Sequence, residues 1–485
     1  MTLDSPSPTT DTRTVSKRLL LLVGLLTVFL FLFRLGTEAF IDYDEATYTQ
    51  VVKETIVSGH LLPLVLDDKP WVDKPPLYFF LATGSGYLFG FNEFALRFPS
   101  ALLGILSIFL TYAITRQLKG GQITALLAGG ILLTTSIFLE AGRQVRLDVP
   151  VTAFLLLAFF AFLKGSKNPR WYLLVGIATV LGFLTKSVII FLIAPTILLY
   201  SFFYKQTAWI KNSYFWIGWL LGATILVPWI AHEYVRDPAL FSDTYLRKHL
   251  TQRVSERVIG GTVSNSFYIT YLFRFVEPWF PVFISVCIFL ALQFRKGVRH
   301  TVDSFHKLLF PTTTAIVCFL PFAVAQTKLF YYLTPLYPFM AVACAFAITK
   351  LWYSQTMRLE RAVVTGAVVA LFVVGMVTTV FTGFHIQNAV GSTAISEEER
   401  AVGYTLATYP PEVPVYAVQL LFCDTIRYYA DKKVTLLPEK KKLPEAFLVV
   451  VPTSVLTYGL PEEINALSSK KLVYKGTLLS ILYVP

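Results

Sequence analysis

Charge is scarce in this chain. Of 485 residues only 15 % are Asp, Glu, Lys or Arg, while 55 % are hydrophobic. A soluble domain keeps about a quarter of its residues charged, so this chain has too little polar surface to coat itself in water, and its solvent is a bilayer. Cysteine is equally sparse. Cys287, Cys318, Cys344 and Cys423 show no C-x-x-C spacing, which gives neither a disulfide framework nor a zinc signature; they read as buried thiols. A glycine-rich phosphate loop and an internal repeat are both missing, so nucleotide binding is unsupported. The formal net charge of +12 is scattered through short loops between apolar runs and forms no basic stripe, which argues against nucleic acid. The apolar run after Arg18 is followed by Arg34 and Glu38 instead of a small-residue cleavage site, and it reads as an uncleaved span.

What the chain has in quantity is long apolar runs. A helix needs about 20 such residues to cross the hydrocarbon layer, and eleven candidates lie near 19–36, 97–116, 122–139, 149–163, 171–186, 188–204, 213–231, 278–294, 308–325, 329–349 and 362–383. The stretch 76–91 is also apolar, but it is short and interrupted by Gly84 and Gly86; it is expected as a helix lying at the outer surface. With eleven spans and a cytoplasmic N-terminus, the short basic loops all fall on one side: Arg116 and Lys119; Lys164, Lys167 and Arg170; Lys205 and Lys211; Arg295, Lys296 and Arg299; Lys350, Arg358 and Arg361. That is the positive-inside pattern, and counting 76–91 as a span would invert everything after it. The expected organisation is a disordered cytoplasmic tail (1–17), a transmembrane domain (18–383) with large outer loops at 37–96 and 232–277, and an extracytoplasmic domain (384–485). In that last region strand-like runs (VPVYAV, AFLVVV, KLVYKG, LLSILYVP) alternate with helical ones (ISEEERAVGYTLA, TIRYYADK, EEINALSS), the pattern of a small α/β domain. The fold class is therefore an α-helical polytopic membrane protein, multi-pass in a cell membrane, with a small C-terminal α/β domain.

The candidate chemistry gathers on the outer side. Asp42, Asp44 and Glu45 sit within four residues directly after the first span. Carboxylates favour helix N-termini, so a capping turn is the plain reading; near low dielectric, however, clustered carboxylates cost free energy and ask for a compensating role. Asp148, in GRQVRLDVP beside Arg143 and Arg146, lies at another outer span end, where a membrane-edge ion pair competes with a catalytic role. Cations also persist where topology disfavours them: Lys74, Arg97, Arg146, Lys186 and Lys328. Snorkelling to lipid headgroups explains any one of them, whereas the set suits an anionic partner such as a phosphate. Trp71, Tyr78, Trp279, Phe280, Tyr331, Tyr332 and Tyr337 share this face and read mainly as an interfacial belt, some being suited to stack on a sugar.

The run DYDEATYTQVVKETIVSGHLLPLVLDDKPWVDKPPLYFF, followed by NEFALRFPSAL, resembles the first outer loop of the GT-C membrane glycosyltransferases. These include the protein O-mannosyltransferases and, more closely, the lipid A aminoarabinose transferases (ArnT-like). GFLTKSVIIFLIAP, VEPWFPV and AQTKLFYYLTPLYPFMAVACA fit the same pattern, so the resemblance covers most of 37–345. It implies that Asp44, or the Asp44–Glu45 pair, is the catalytic carboxylate site with Asp148 as its second acid. It further implies that Lys74 binds the carrier phosphate near Tyr332 and Tyr48; the outer cations Arg97, Arg146 and Lys328, read from the loops themselves, are further binding candidates. Asp73 matches an acidic position associated with a divalent metal, the one cofactor implied. His249 and Arg253, in RKHLTQRV, match a basic element of the second outer loop with the spacing offset by a residue. The C-terminal region is shorter than in the aminoarabinose enzymes, which weakens any transfer of their lipid A acceptor to this chain.

The expected reaction is transfer of a hexosyl or pentosyl group from a polyprenyl (undecaprenyl) phosphate donor to a lipid, glycan or protein acceptor. A carboxylate base serves the acceptor, cations serve the leaving phosphate, and a single displacement inverts the anomeric centre. The alternative is a transporter or flippase for a lipid-linked sugar. Transporters place ionisable groups at the midplane of repeated halves, and neither sign is present in this sequence.

Overall fold

The computed structural model describes residues 10–41, 43–245, 247, 266–383, 392–418, 423–437, 444, 446–454, 456 and 470–485. Asp42, His249, Arg253 and the expected helical run 462–469 lie outside them. The apolar runs form helices because a backbone in hydrocarbon must satisfy its own hydrogen bonds. They are α1 (Thr10–Leu32), α2 (Asp44–Val57), α3 (Leu77–Phe89), α4 (Glu93–Gln117), α5 (Gln122–Leu133), α6 (Ser136–Gly142), α7 (Asp148–Gly165), α8 (Tyr172–Lys186), α9 (Ile193–Tyr204), α10 (Ser213–Arg236) and α11 (Pro238–Phe241). After the undescribed stretch come α12 (Phe267–Phe275), α13 (Trp279–Phe294), α14 (Val298–Val324), α15 (Leu336–Ser354) and α16 (Arg358–Gly383).

Among the described residues, seven helical segments are long and apolar enough to cross a membrane, or nine if two bent pairs each count as one span. The bent pairs are α5–α6, turned by 67°, and α12–α13, turned by 119°. The difference from eleven lies in how breaks are treated. Residues 169–204 run as one 36-residue apolar segment, but Ser187 has a positive φ of 53° and separates α8 from α9. Helix α1 covers the remaining expected run. Every apolar run read from the sequence thus falls on a helix or a broken helix, and 76–91 becomes the 13-residue α3, shorter than the bilayer needs.

Helix ends follow local chemistry. Asn92 caps α4 by accepting from the Ala95 N–H at 2.9 Å, with Glu93 in the first turn. Asn212 caps α10 in the same way through the Tyr214 N–H at 3.0 Å. Helix α7 is apolar on all sides and 83 % of its spanning window is buried, whereas α16 is 11 % buried; α7 is the centre of the bundle and α16 its periphery. Helices α8 and α10 meet through glycine. A Cβ on Gly176 would stand 2.3 Å from the Gly218 backbone, so this contact, with Gly218 and Gly222 four residues apart on α10, requires the small-residue approach typical of membrane helices.

The C-terminal region holds α17 (Ser392–Ala407), α18 (Asp424–Ala430) and the longer of the two sheets. A two-residue hairpin, β1 (Val65–Leu66) and β2 (Lys69–Pro70), decorates the first outer loop. The five-stranded sheet comprises β3 (Val415–Ala417), β4 (Val434–Leu436), β5 (Phe447–Pro452), β6 (Lys471–Lys475) and β7 (Leu479–Val484), in the order β4-β3-β5-β7-β6. Strands β4, β3 and β5 are parallel, while β7 runs antiparallel to both β5 and β6. One face packs on Val402 and Leu406 of α17 and on Ile426 and Ala430 of α18. The four expected strands and two of the expected helices are there; β4 was not foreseen.

Candidate active site

The site is built on the start of α2. Consecutive helical residues differ by about 100° around the axis, so Asp44 and Glu45 face different surroundings. Glu45 points inward and is 1 % exposed. Arg97 of α4 donates to it through Nε (2.8 Å) and Nη2 (3.0 Å), and the N–H groups of Ile41 (2.8 Å) and Val145 (2.8 Å) complete its shell. Burial pushes the Glu45 pKa up, but Arg97 and those two N–H groups outweigh it and hold the carboxyl below its ordinary range. Arg97 also donates to the carbonyls of Leu35, Glu38 and Ala39. The pair is thus a clamp that ties the 35–41 turn, α4 and residue 145 together. Its hydrogen-bonding capacity is spent on the protein, so the geometry gives Glu45 a structural role instead of a base's and Arg97 a structural role instead of a phosphate ligand's.

Asp44 faces outward, with a side-chain exposure of 31 %. Arg146 donates from Nη1 to its Oδ2 at 3.2 Å, and its Oδ1 has no hydrogen bond among the described residues. The preceding Tyr43 holds a positive φ of 84°, a costly conformation for a bulky residue that persists only where surroundings over-determine it. Tyr48, one turn on, packs against Trp71 and Phe79. Its phenol is pushed well above the usual range, first by burial and then by the charges of Asp44, Asp73 and Asp148, so it stays neutral.

Asp148 opens α7 and is buried in an ion pair with Lys186, which closes α8. A carboxylate at a helix N-terminus and an ammonium at a C-terminus each oppose the local dipole, which helps offset the cost of burying the pair. Lys186 also lies 5.2 Å from the Tyr332 ring, and Ser187, next in the chain, carries the strained turn. Sequence reading flagged Lys186 as a misplaced cation but did not see it as the counter-ion of Asp148. Lys74 is 9 % exposed and paired with its neighbour Asp73. Lys328, by contrast, donates to the carbonyls of Ala323 and Ala325, both at 2.9 Å; it caps the end of α14, whose last carbonyls lack partners.

Among the described residues no three His, Cys, Asp or Glu side chains gather as metal ligands, and Asp73 faces Lys74. These residues do not fit a preformed metal centre. Two residues absent from the sequence-based site join it here. Tyr331, read as part of the aromatic belt, lies under Arg146, and Glu140 accepts from the Tyr331 hydroxyl.

Known proteins resemble the chain at two levels. Residues 73–232 match the family described as dolichyl-phosphate-mannose-protein mannosyltransferase. Over 333 residues, 68 % of this chain, it is 26 % identical to an uncharacterized protein of Aquifex aeolicus. Over 321 residues, 64 % of this chain, it is 26 % identical to the undecaprenyl phosphate-alpha-4-amino-4-deoxy-L-arabinose arabinosyl transferase of Edwardsiella ictaluri. The chain spans 64 % and 55 % of the lengths of these two relatives. ArnT from Cupriavidus metallidurans, solved with undecaprenyl phosphate bound, is 17 % identical and superposes with a TM-score of 0.75 over 96 % of this chain and 98 % of that one. Sequence match and shared architecture point the same way: the chain is a multi-pass membrane protein with the fold of ArnT, and its sequence is similar to the mannosyltransferase family and the arabinosyl transferases named above.

Proposed function

We propose that the chain is a glycosyltransferase that moves a sugar from a polyprenyl-phosphate donor to an acceptor at the outer face of the membrane. The observation that carries this reading is Asp44. It is a partly exposed carboxylate, steadied at one oxygen by Arg146 and open at the other, and Arg146 stands two residues before Asp148, the ion-pair partner of Lys186. In the proposed step Asp44 Oδ1 takes the proton of an acceptor hydroxyl or phosphate. The acceptor oxygen forms a bond to the anomeric carbon, and the bond from that carbon to the carrier phosphate breaks. The phosphate leaves with the electron pair, facing Lys74 and Arg146, whose charge matches the charge that grows on it. Single displacement inverts the anomeric centre. The undecaprenyl phosphate bound to the Cupriavidus protein supports a polyprenyl carrier as the donor's lipid. Donor sugar and acceptor are open to lipid, glycan and protein classes, and mass spectrometry of glycolipids and glycoproteins from cells with and without the gene identifies them.

The direct test uses purified protein in vesicles containing the lipid-linked donor so identified. Asp44→Asn keeps size and most hydrogen bonding but removes the base, and transfer is expected to fall by about 10²-fold or more while donor binding persists. Normal transfer by that variant would overturn Asp44 as the base. Movement of an intact donor across the vesicle by the unmodified protein, without transfer, would give the transporter reading instead.

A further inference from the structure

The Arg146 guanidinium is held from more than one side. Its Nε donates to Gln144 Oε1 at 2.6 Å and its Nη1 to Asp44 Oδ2 at 3.2 Å. Its central carbon lies 3.7 Å from the centroid of the Tyr331 ring, within cation–π range. Tyr331 is anchored in turn: its hydroxyl donates to Glu140 Oε1 at 3.0 Å, and Gln144 Nε2 reaches the same oxygen at 3.5 Å. Helix α6 thus carries Glu140, the turn after it carries Gln144 and Arg146, and the short turn before α15 brings in Tyr331. The Nη2 group of Arg146 has no partner among the described residues. An arginine has five N–H donors in a rigid fork; here two are assigned and the ring fixes the plane of the rest.

We infer that Tyr331 and Glu140 are positioning residues that hold the Arg146 fork, with its remaining donors, toward the phosphate of the lipid carrier. The inference rests on the reading of Arg146 as a phosphate contact and deepens it. A flexible arginine would lose side-chain freedom on binding an anion, whereas one already fixed by a ring and a glutamine has lost it in advance. The hydroxyl of Tyr331 matters because it stops the ring from sliding out from under the guanidinium.

The experiment measures binding of undecaprenyl phosphate, the carrier without its sugar, to the full chain in nanodiscs. Four variants are compared: Arg146→Lys, Tyr331→Leu, Tyr331→Phe and the double variant Arg146→Lys with Tyr331→Leu. Tyr331→Leu is expected to weaken binding about tenfold, within the range of a desolvated cation–π contact. Tyr331→Phe keeps the ring but loses the Glu140 anchor, and a loss of about threefold is expected; it also keeps the test alive if Tyr331→Leu does not fold. In the Arg146→Lys background, Tyr331→Leu is expected to cost less than twofold more, because the two residues act as one unit. A full additional loss in that background would show that Tyr331 acts independently of Arg146 and would overturn the inference. So would unchanged affinity in both Tyr331 variants while Arg146→Lys is weakened. If Arg146→Lys itself binds the probe normally, Arg146 is no phosphate contact, and the failure lies in the underlying reading.

Discussion

Two acidic neighbours, Asp44 and Glu45, have opposite lives in this protein. Glu45 is buried and accepts four hydrogen bonds, two of them from Arg97, whereas Asp44 is partly exposed and receives one. Breaking a buried ion pair by removing one charge costs about 3–5 kcal/mol, so Glu45→Gln is expected to lower the melting temperature of the purified protein sharply. Asp44→Asn should leave melting nearly unchanged and remove transfer. A Glu45→Gln protein that melts normally but has lost transfer would return Glu45 to the chemistry. Glu45 also gives a pH signature. Its folded pKa lies below the unfolded value of 4.5, so its contribution to stability is fully present above that pH and is lost as the pH falls through the folded value. Thermal melts should therefore show an acid-side loss of stability below about pH 4.5 that is smaller in Glu45→Gln. The sequence singled out this acidic pair as a candidate site, yet it could not sort the two residues by their surroundings. The rotation between neighbours is visible in a helix, but which direction faces the interior depends on Arg97 and Val145, 52 and 100 residues away.

Helix α2 is gripped by the C-terminal domain along its length. Thr47 bonds Asp424, Lys53 donates to the Tyr428 carbonyl at 2.7 Å, and Arg427 pairs with Glu54 (3.3 Å) as well as with Asp67. The Tyr429 hydroxyl donates to Glu93 at 2.7 Å and accepts from the Phe40 N–H at 3.2 Å. Tyr429 also shares one apolar cluster with Phe40, Tyr48, Tyr78 and Leu147. The domain is therefore part of the wall that fixes Asp44, not an appendage. Arg427→Met would leave Glu54, Asp67 and Asp424 facing one another without their cation. Faster amide hydrogen exchange across 44–57 and a several-fold slower transfer are expected, with the melting of the membrane helices little changed. Exchange in α2 as slow as in the unmodified protein would show that the contact is incidental. Apolar periodicity made the helices and most strands legible, because burial in lipid or in a sheet writes itself into hydropathy. The breaks were not legible. Residues 122–139 read as one run, yet the chain turns by 67° between α5 and α6, where Thr134 and Thr135 bond back to the carbonyls of Gly130 and Ile131. Strand β4 is three residues long, too short for its alternation to register.

At the scale of the whole molecule, two independent arguments bear on orientation. The contacts between α18 and α2 put the C-terminal domain and the first loop on the same side of the helical bundle. Helix α2 is separated from the N-terminus by α1 alone, so the N-terminus and the C-terminal domain lie on opposite sides if α1 crosses, and the number of crossings between them is odd. Contacts cannot say which side is outside. Loop charge can: the turn holding Lys164, Lys167 and Arg170 joins α7 to α8 at the ends remote from Asp148 and Lys186, and positive residues are retained in the cytoplasm. On this pattern we propose that the carboxylates and the C-terminal domain lie outside, where a polyprenyl-linked sugar presented at the outer surface would meet them. Two exposed lysines test the arrangement. A cysteine at Lys475, on β6, is expected to react with an impermeant thiol reagent added to intact cells, and one at Lys167 only after the membrane is permeabilised. The native thiols set the background: Cys318 and Cys344 are buried, and Cys287 and Cys423 are partly covered. Labelling of both positions from the outside would put the α7–α8 turn on the same side as the C-terminal domain and break the arrangement, and labelling of Lys167→Cys alone would invert the molecule and put the candidate site in the cytoplasm.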